Sequence, residues 1–260
     1  MRRLPVVTFL LGLGMAMAVS LRAQTNLNAL SVAAAGDLRG TLEEAKAAFE
    51  ATHPAMKIEL TFGASGSLTA QIQQGAPYDL FLSADVGFPE QLRQAGLITA
   101  DGPFPYAKGY LTLWLRREIG VDPAVAGLRV LLDPRIKRIA VANPKLAPYG
   151  RAAEGALANV GLLESLRPKF VFGENIAQAA QFLQTGASEA GLISQSQARH
   201  PALESSGLAW KVPEEIAPPL RQHGVVLARS RVQNLAKAFR DFLIGSEGQV
   251  ILARHGFGKP

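Results

Sequence analysis

Residues 60–85 read LTFGASGSLTAQIQQGAPYDLFLSAD, and the order of residue types there sets the architecture. The run Ile58-Glu59-Leu60-Thr61-Phe62 alternates like a strand, Gly63-Ala64-Ser65-Gly66-Ser67 is a loop of small residues, and Leu68-Thr69-Ala70-Gln71-Ile72 has helical spacing. Gly75-Ala76-Pro77-Tyr78 then turns the chain into a second strand over 79–85. A strand that feeds straight into a helix start aims backbone N–H groups at the loop, because the first four N–H groups of a helix lack intrahelical partners and the helix dipole is positive there. Two readings fit. Ser65 or Ser67 caps the helix through its hydroxyl, or the loop holds a small anion, with both hydroxyls adding donors.

The same strand, turn and helix order recurs along the chain. Residues 30–35 predict a buried strand, Gly36-Asp37 a turn, and 41–50 a helix with Leu42, Ala45 and Phe49 on one face, ended by His53-Pro54. Residues 89–96 predict a short helix closed by Gly96. The composition changes around 106–109, and 110–115, YLTLWL, is a strand too apolar for a loop. Further strands are expected at 138–142, 170–172, 191–194 and 224–228, and helices at 151–160, 177–184, 232–244 and 248–255, the last two packing back on the first part of the chain. This pattern predicts an α/β protein of two lobes, each a mostly parallel sheet flanked by helices, joined by two crossings. The lobes are expected at 27–107 plus 219–260 and at 108–218. In such sheets ligands sit at the carboxyl ends of strands, and a cleft between lobes suits a small ligand.

Arg2 and Arg3 lead into an apolar run over 4–21 that ends in small residues near Ala18, Ser20 and Ala23, as in a secretory signal peptide over 1–23. Cleavage after Ala23 lowers the formal charge from +6 to +3. The remaining charge is too small and too scattered for a nucleic-acid binder. A chain without cysteine has neither disulfides nor thiolate metal sites.

Enzyme chemistry finds little footing. Gly63-Ala64-Ser65-Gly66-Ser67 has serine where the last glycine of a nucleophile elbow belongs. His53, His200, His223 and His255 are scattered without metal-ligand spacing. Asp79 and Asp85 share a strand face but lie about 20 Å apart at a rise of roughly 3.3 Å per residue. No catalytic residue and no cofactor is expected.

Four segments resemble the periplasmic molybdate-binding proteins of ABC importers. They are Ala33-Ala34-Ala35-Gly36-Asp37, the Ser65 loop with GAPYDLFLSAD at 75–85, Asn143-Pro144-Lys145-Leu146-Ala147-Pro148-Tyr149-Gly150, and Glu174-Asn175-Ile176. The resemblance runs from about residue 30 to the end, and GAPYDLFLSAD is its most specific piece. It implies a type II periplasmic-binding-protein fold and a tetrahedral oxyanion, molybdate or tungstate, held in the cleft by neutral donors. No direct protein bond to molybdenum or tungsten is expected. It further implies a monomer in the periplasm that delivers the anion to a membrane permease. Carried over by position, the oxyanion-binding residues are Gly36, Asp37, Ser65, Tyr149, Ile176 and Ser194. Gly36-Asp37 stands where many relatives have Ser, Thr or Asn, so a hydroxyl is missing. The Asp37 carboxylate is expected to cap the following helix and leave only its N–H to the ligand. Ser194 matches a position that carries a ligand-contacting Tyr in some relatives. A site made only of donors favours a fully ionised oxyanion, because hydrogen phosphate would bury its O–H unpaired at about 1–3 kcal/mol. Sulfate passes that criterion and is the alternative guest. An anion-sensing regulatory module is the alternative of a different class.

Overall fold

The computed structural model describes residues 28–260; the expected leader lies outside them. In chain order, β1 (Ala29–Ala35) runs through a single 3-10 turn, Gly36–Leu38, into α1 (Arg39–Thr52), and β2 (Lys57–Gly63) into α2 (Ser65–Gln73). There follow β3 (Leu80–Ser83), α3 (Gly87–Gln94) and β4 (Phe104–Gly109). One residue later the chain enters β5 (Leu111–Arg116), followed by α4 (Pro123–Ala126), β6 (Ile139–Ala142), α5 (Pro148–Asn159) and α6 (Leu163–Leu166). Next come β7 (Phe170–Gly173), α7 (Ile176–Gln184), β8 (Ala190–Ser194), α8 (Gln195–Ala198), α9 (Pro201–Ser206) and β9 (Gly207–Lys211). A return segment at 212–219 leads to β10 (Leu220–Val226), α10 (Gln233–Ile244) and α11 (Ser246–Arg254).

The strands form two five-stranded sheets, ordered β2-β1-β3-β10-β4 and β7-β6-β8-β5-β9. In the first, β1 is parallel to β2 and β3, while β10 is antiparallel to both β3 and β4, so one reversed strand sits among four that share a direction. The second repeats the plan, with β5 antiparallel to β8 and β9 and with β6 parallel to β7 and β8. The reversed strand of each sheet is the first strand after a crossing from the other sheet.

Strand alternation divides the core of the first sheet between its two faces. Leu30, Val32 and Ala34 of β1 join the cluster built on Phe49, Phe239, Leu243 and Leu252. Ala33, with Phe81 and Val225, faces Leu68, Ile72 and Leu92 of α2 and α3. As expected, α10 and α11 pack on the first sheet. The second sheet has its own core around Trp114, Val141, Leu157 and Leu192, and this cluster also takes in Ala35, Ala64 and Ala84. Those three alanines end or follow β1, β2 and β3. The carboxyl ends of the first sheet are therefore packed into the second lobe.

Two strands escape the sequence pattern, and both lie at a sheet edge. β4 reads FPYAKG, with a proline that an edge strand tolerates, and β9 reads GLAWK with four of its five residues not buried.

Candidate functional site

Ser65 is the first residue of α2 and is buried. The residue before the helix is Ala64, and no side chain caps it, so neither serine plays the capping part. Instead Ser65 Oγ accepts the Ala84 N–H at 3.1 Å, which ties the loop after β2 to the end of β3 and leaves the hydroxyl proton to donate elsewhere. The N–H of Gly66, the next residue, donates across the cleft to Leu146 O at 2.9 Å. That carbonyl lies just before α5, whose first two residues are Pro148 and Tyr149. Proline there has no N–H to leave unpaired. Ile176 opens α7 behind Asn175, whose Oδ1 accepts the N–H groups of Ala177 (3.0 Å) and Gln178 (3.1 Å). Three helices, one from the first lobe and two from the second, thus present first turns around the buried residues Ala35, Ala64, Ala84, Ala147, Tyr149 and Ile176.

The Gly36-Asp37 turn lies against the second lobe. A Cβ on Gly36 would stand 3.3 Å from Asn175 Oδ1 and 3.4 Å from the Ala177 N, so glycine permits this approach. Gln197 Nε2 donates to Gly36 O at 2.9 Å and Ser196 Oγ to Asp37 O at 2.8 Å. Ser194 is one step removed. Its Oγ accepts the Gln197 N–H at 3.2 Å as the cap of α8 and lies 2.9 Å from Ser196 Oγ. The turn is thus met by Ser196 and Gln197, which the sequence reading passed over, with Ser194 behind them.

Asp37 departs from expectation. The cap of α1 is Leu38, without a side-chain bond, and the Asp37 carboxylate turns inward. Its Oδ2 accepts Gln222 Nε2 at 2.6 Å, and the same amide nitrogen lies 3.3 Å from the Tyr149 hydroxyl. Gln222 Oε1 accepts from Tyr106 Oη at 2.8 Å, and Tyr106 Oη is also 2.9 Å from Ser83 O. The reason is room: the 3-10 turn tucks residue 37 into the interior, where Gln222 offers the only side-chain N–H bonded to it among the described residues. Burial pushes the Asp37 carboxyl up from 3.8 to about 6, against the opposing effect of the bonds from Gln222 and Tyr149. Burial, then the nearby Asp37 charge, raises Tyr106 and Tyr149 well above the usual phenol range, so both stay neutral donors. Gln222 and Tyr106 were missed. The available signal was that Gln222 shares an inward face of β10 with Leu220 and Gly224.

Farther out, Arg151 of α5 pairs with Asp85 of the first lobe and lies over the Phe88 ring, 5.3 Å from its centroid. Asp79 is separately engaged, by Ser31 N at 2.9 Å and Ser230 Oγ at 2.7 Å.

Comparison with known proteins places this arrangement. Residues 30–258 match the family model of the bacterial extracellular solute-binding proteins. The molybdate-binding protein ModA of Azotobacter vinelandii is 36% identical over 229 residues, covering 88% of this chain and 89% of that protein. ModA of Rhodobacter capsulatus is 36% identical over 200 residues, 77% of each chain. The solved structure of the Azotobacter vinelandii periplasmic molybdate-binding protein superposes with a TM-score of 0.82 at 29% identity, over 89% of this chain and 99% of that one. With a two-sheet fold of this topology and helix starts from both lobes meeting at the same strand ends, the chain belongs to the bacterial extracellular solute-binding proteins.

Proposed function

We propose that this protein captures molybdate, or its close analogue tungstate, between its two lobes in the periplasm and hands it to the membrane permease of an ABC importer. The observation that supports the reading is that helix starts of both lobes meet at the carboxyl ends of β1, β2 and β3, where the groups around them are neutral apart from the Asp37 carboxyl. The N–H groups and hydroxyls of Gly36, Ser65, Tyr149 and Ile176 supply donors, with Ser194 supporting through Ser196. The oxyanion is bound through its oxygens, so no side chain need reach the metal atom. The identity to ModA proteins over most of the chain supports the choice of molybdate.

Lobe I comprises 27–107 plus 219–260 and lobe II 108–218, and closure is a hinge motion at the crossings between β4 and β5 and along 212–219. No helix among the described residues is long and apolar enough to cross a membrane. The leader, cleaved on export, accounts for the periplasmic location.

A melting series with molybdate, tungstate, sulfate, phosphate and chromate tests the reading. Ligand at a hundred times its dissociation constant adds about 2.7 kcal/mol to stability. Molybdate and tungstate are expected to raise the midpoint at the lowest concentrations. A rise with sulfate or phosphate alone would overturn the assignment of the anion.

A further inference from the structure

Asp37 carries the one charge at this site that opposes a doubly negative guest. The residue is 1% exposed, its Oδ2 is held by Gln222, and its Oδ1 is shut off from solvent with no hydrogen-bond partner. The groups facing it are neutral from every side. Tyr149 comes from α5, Gln222 from β10, Asn175 beside Gly36 from α7, and Ser196 and Gln197 from α8. Tyr106 of β4 reaches it through Gln222, and Asp85, which acts on Tyr106, is paired with Arg151. On the helix that follows, Arg39 is laid over the Phe62 ring, 4.6 Å from its centroid. Among the described residues no cation therefore offsets the carboxylate, and a proton is what relieves a bare buried carboxylate oxygen at least cost.

We propose that Asp37 is a specificity-determining residue that holds the oxyanion as a neutral carboxylic acid, its proton on Oδ1, so that capture of one dianion takes up one proton. The inference rests on the oxyanion reading of the site. A solvent proton bonds to Oδ1, the new O–H donates to an anion oxygen, and no bond of the anion is made or broken. Burial already pushes the carboxyl up to about 6, and a dianion beside it raises that value further. In the neutral acid Oδ2 is occupied by Gln222 and Oδ1 presents a donor, whereas an ionised Oδ1 would accept the proton of hydrogen phosphate and admit it.

The test is calorimetry of molybdate binding from pH 5 to 8, in buffers of different ionisation enthalpy, on the intact protein and on Asp37→Asn. The wild-type protein is expected to take up nearly one proton per anion at pH 8 and almost none at pH 5. Its dissociation constant should rise about tenfold per pH unit above neutrality. Asp37→Asn should bind with an affinity constant within about twofold across the range. Molybdate binding without proton uptake in the wild-type protein, or a slope retained by Asp37→Asn, overturns the inference and leaves the oxyanion reading standing. No molybdate binding at any pH removes both.

Discussion

At the scale of single residues, Ser65 and Asp37 do opposite things with the same burial. Ser65 accepts one N–H and keeps a proton to donate, so it suits an anion in either state of the cleft. Ser65→Ala is expected to weaken molybdate binding roughly 10- to 150-fold, the 1.5–3 kcal/mol typical of a hydrogen bond to a charged group. It should also cost the unliganded fold about 1 kcal/mol, because the Ala84 N–H loses its partner. Titration calorimetry and urea unfolding separate the two. Asp37 makes the stability of the folded protein sensitive to pH. Its carboxyl rises from 3.8 to about 6 on folding, so the folded state holds the proton more firmly. That contribution is complete below about pH 4 and is lost as pH rises through 6, an amount of about 3 kcal/mol at most. Asp37→Asn should accordingly be more stable than wild type at pH 8 and close to it at pH 4, as chemical denaturation at the two pH values would show.

Among the elements, the starts of α1, α2, α5 and α7 are legible in the chain, since small residues after an apolar run mark them, whereas the short helices α4, α6 and α9 carry no such mark. Asn175 before Ile176 is a cap visible in the sequence, and Asn175→Ala is expected to cost about 1 kcal/mol by denaturant unfolding. What the pattern concealed has a physical cause. β4 and β9 lie at sheet edges and need no continuous apolar run. The inward turn of Asp37 depends on Gln222, 185 residues away. The fit of Gly66 against Leu146 was equally hidden, because it arises only where two lobes meet. A Cβ at Gly66 would stand 2.9 Å from Leu146 O and 3.1 Å from Phe88 Cζ. Gly66→Ala should therefore hold the lobes apart and weaken molybdate binding by the 1–3 kcal/mol of an overpacked contact. Phe88 belongs to the same lobe, so its ring must give by a few tenths of an ångström with or without ligand, partly offset by the helix preference of alanine in α2, and the melting point without ligand should change little beside the loss of affinity. A lowered melting point with unchanged affinity would place Gly66 in the fold and not in closure.

For the whole molecule, two sheets of the same plan each contain a reversed strand reached from the other sheet, and this connects the lobes twice. The two-lobed α/β plan and the return of α10 and α11 to the first sheet were legible from strand and helix order. The contacts across the cleft were not, because residues such as Asp85 and Arg151 meet only after both lobes form. Arg151 is 45% exposed and Asp85 23%, so their pair adds no more than about 1 kcal/mol to closure. Arg151→Ala should speed molybdate release by about fivefold at most in stopped-flow measurements, and less in high salt. Capture of the anion depends on one place, where the first turns of α2, α5 and α7 meet. Anomalous diffraction at the molybdenum edge from crystals grown with molybdate locates the metal atom directly. A single peak bordered by Ser65, Tyr149 and Ile176 is the predicted result; a peak elsewhere on the protein, or none, would contradict it.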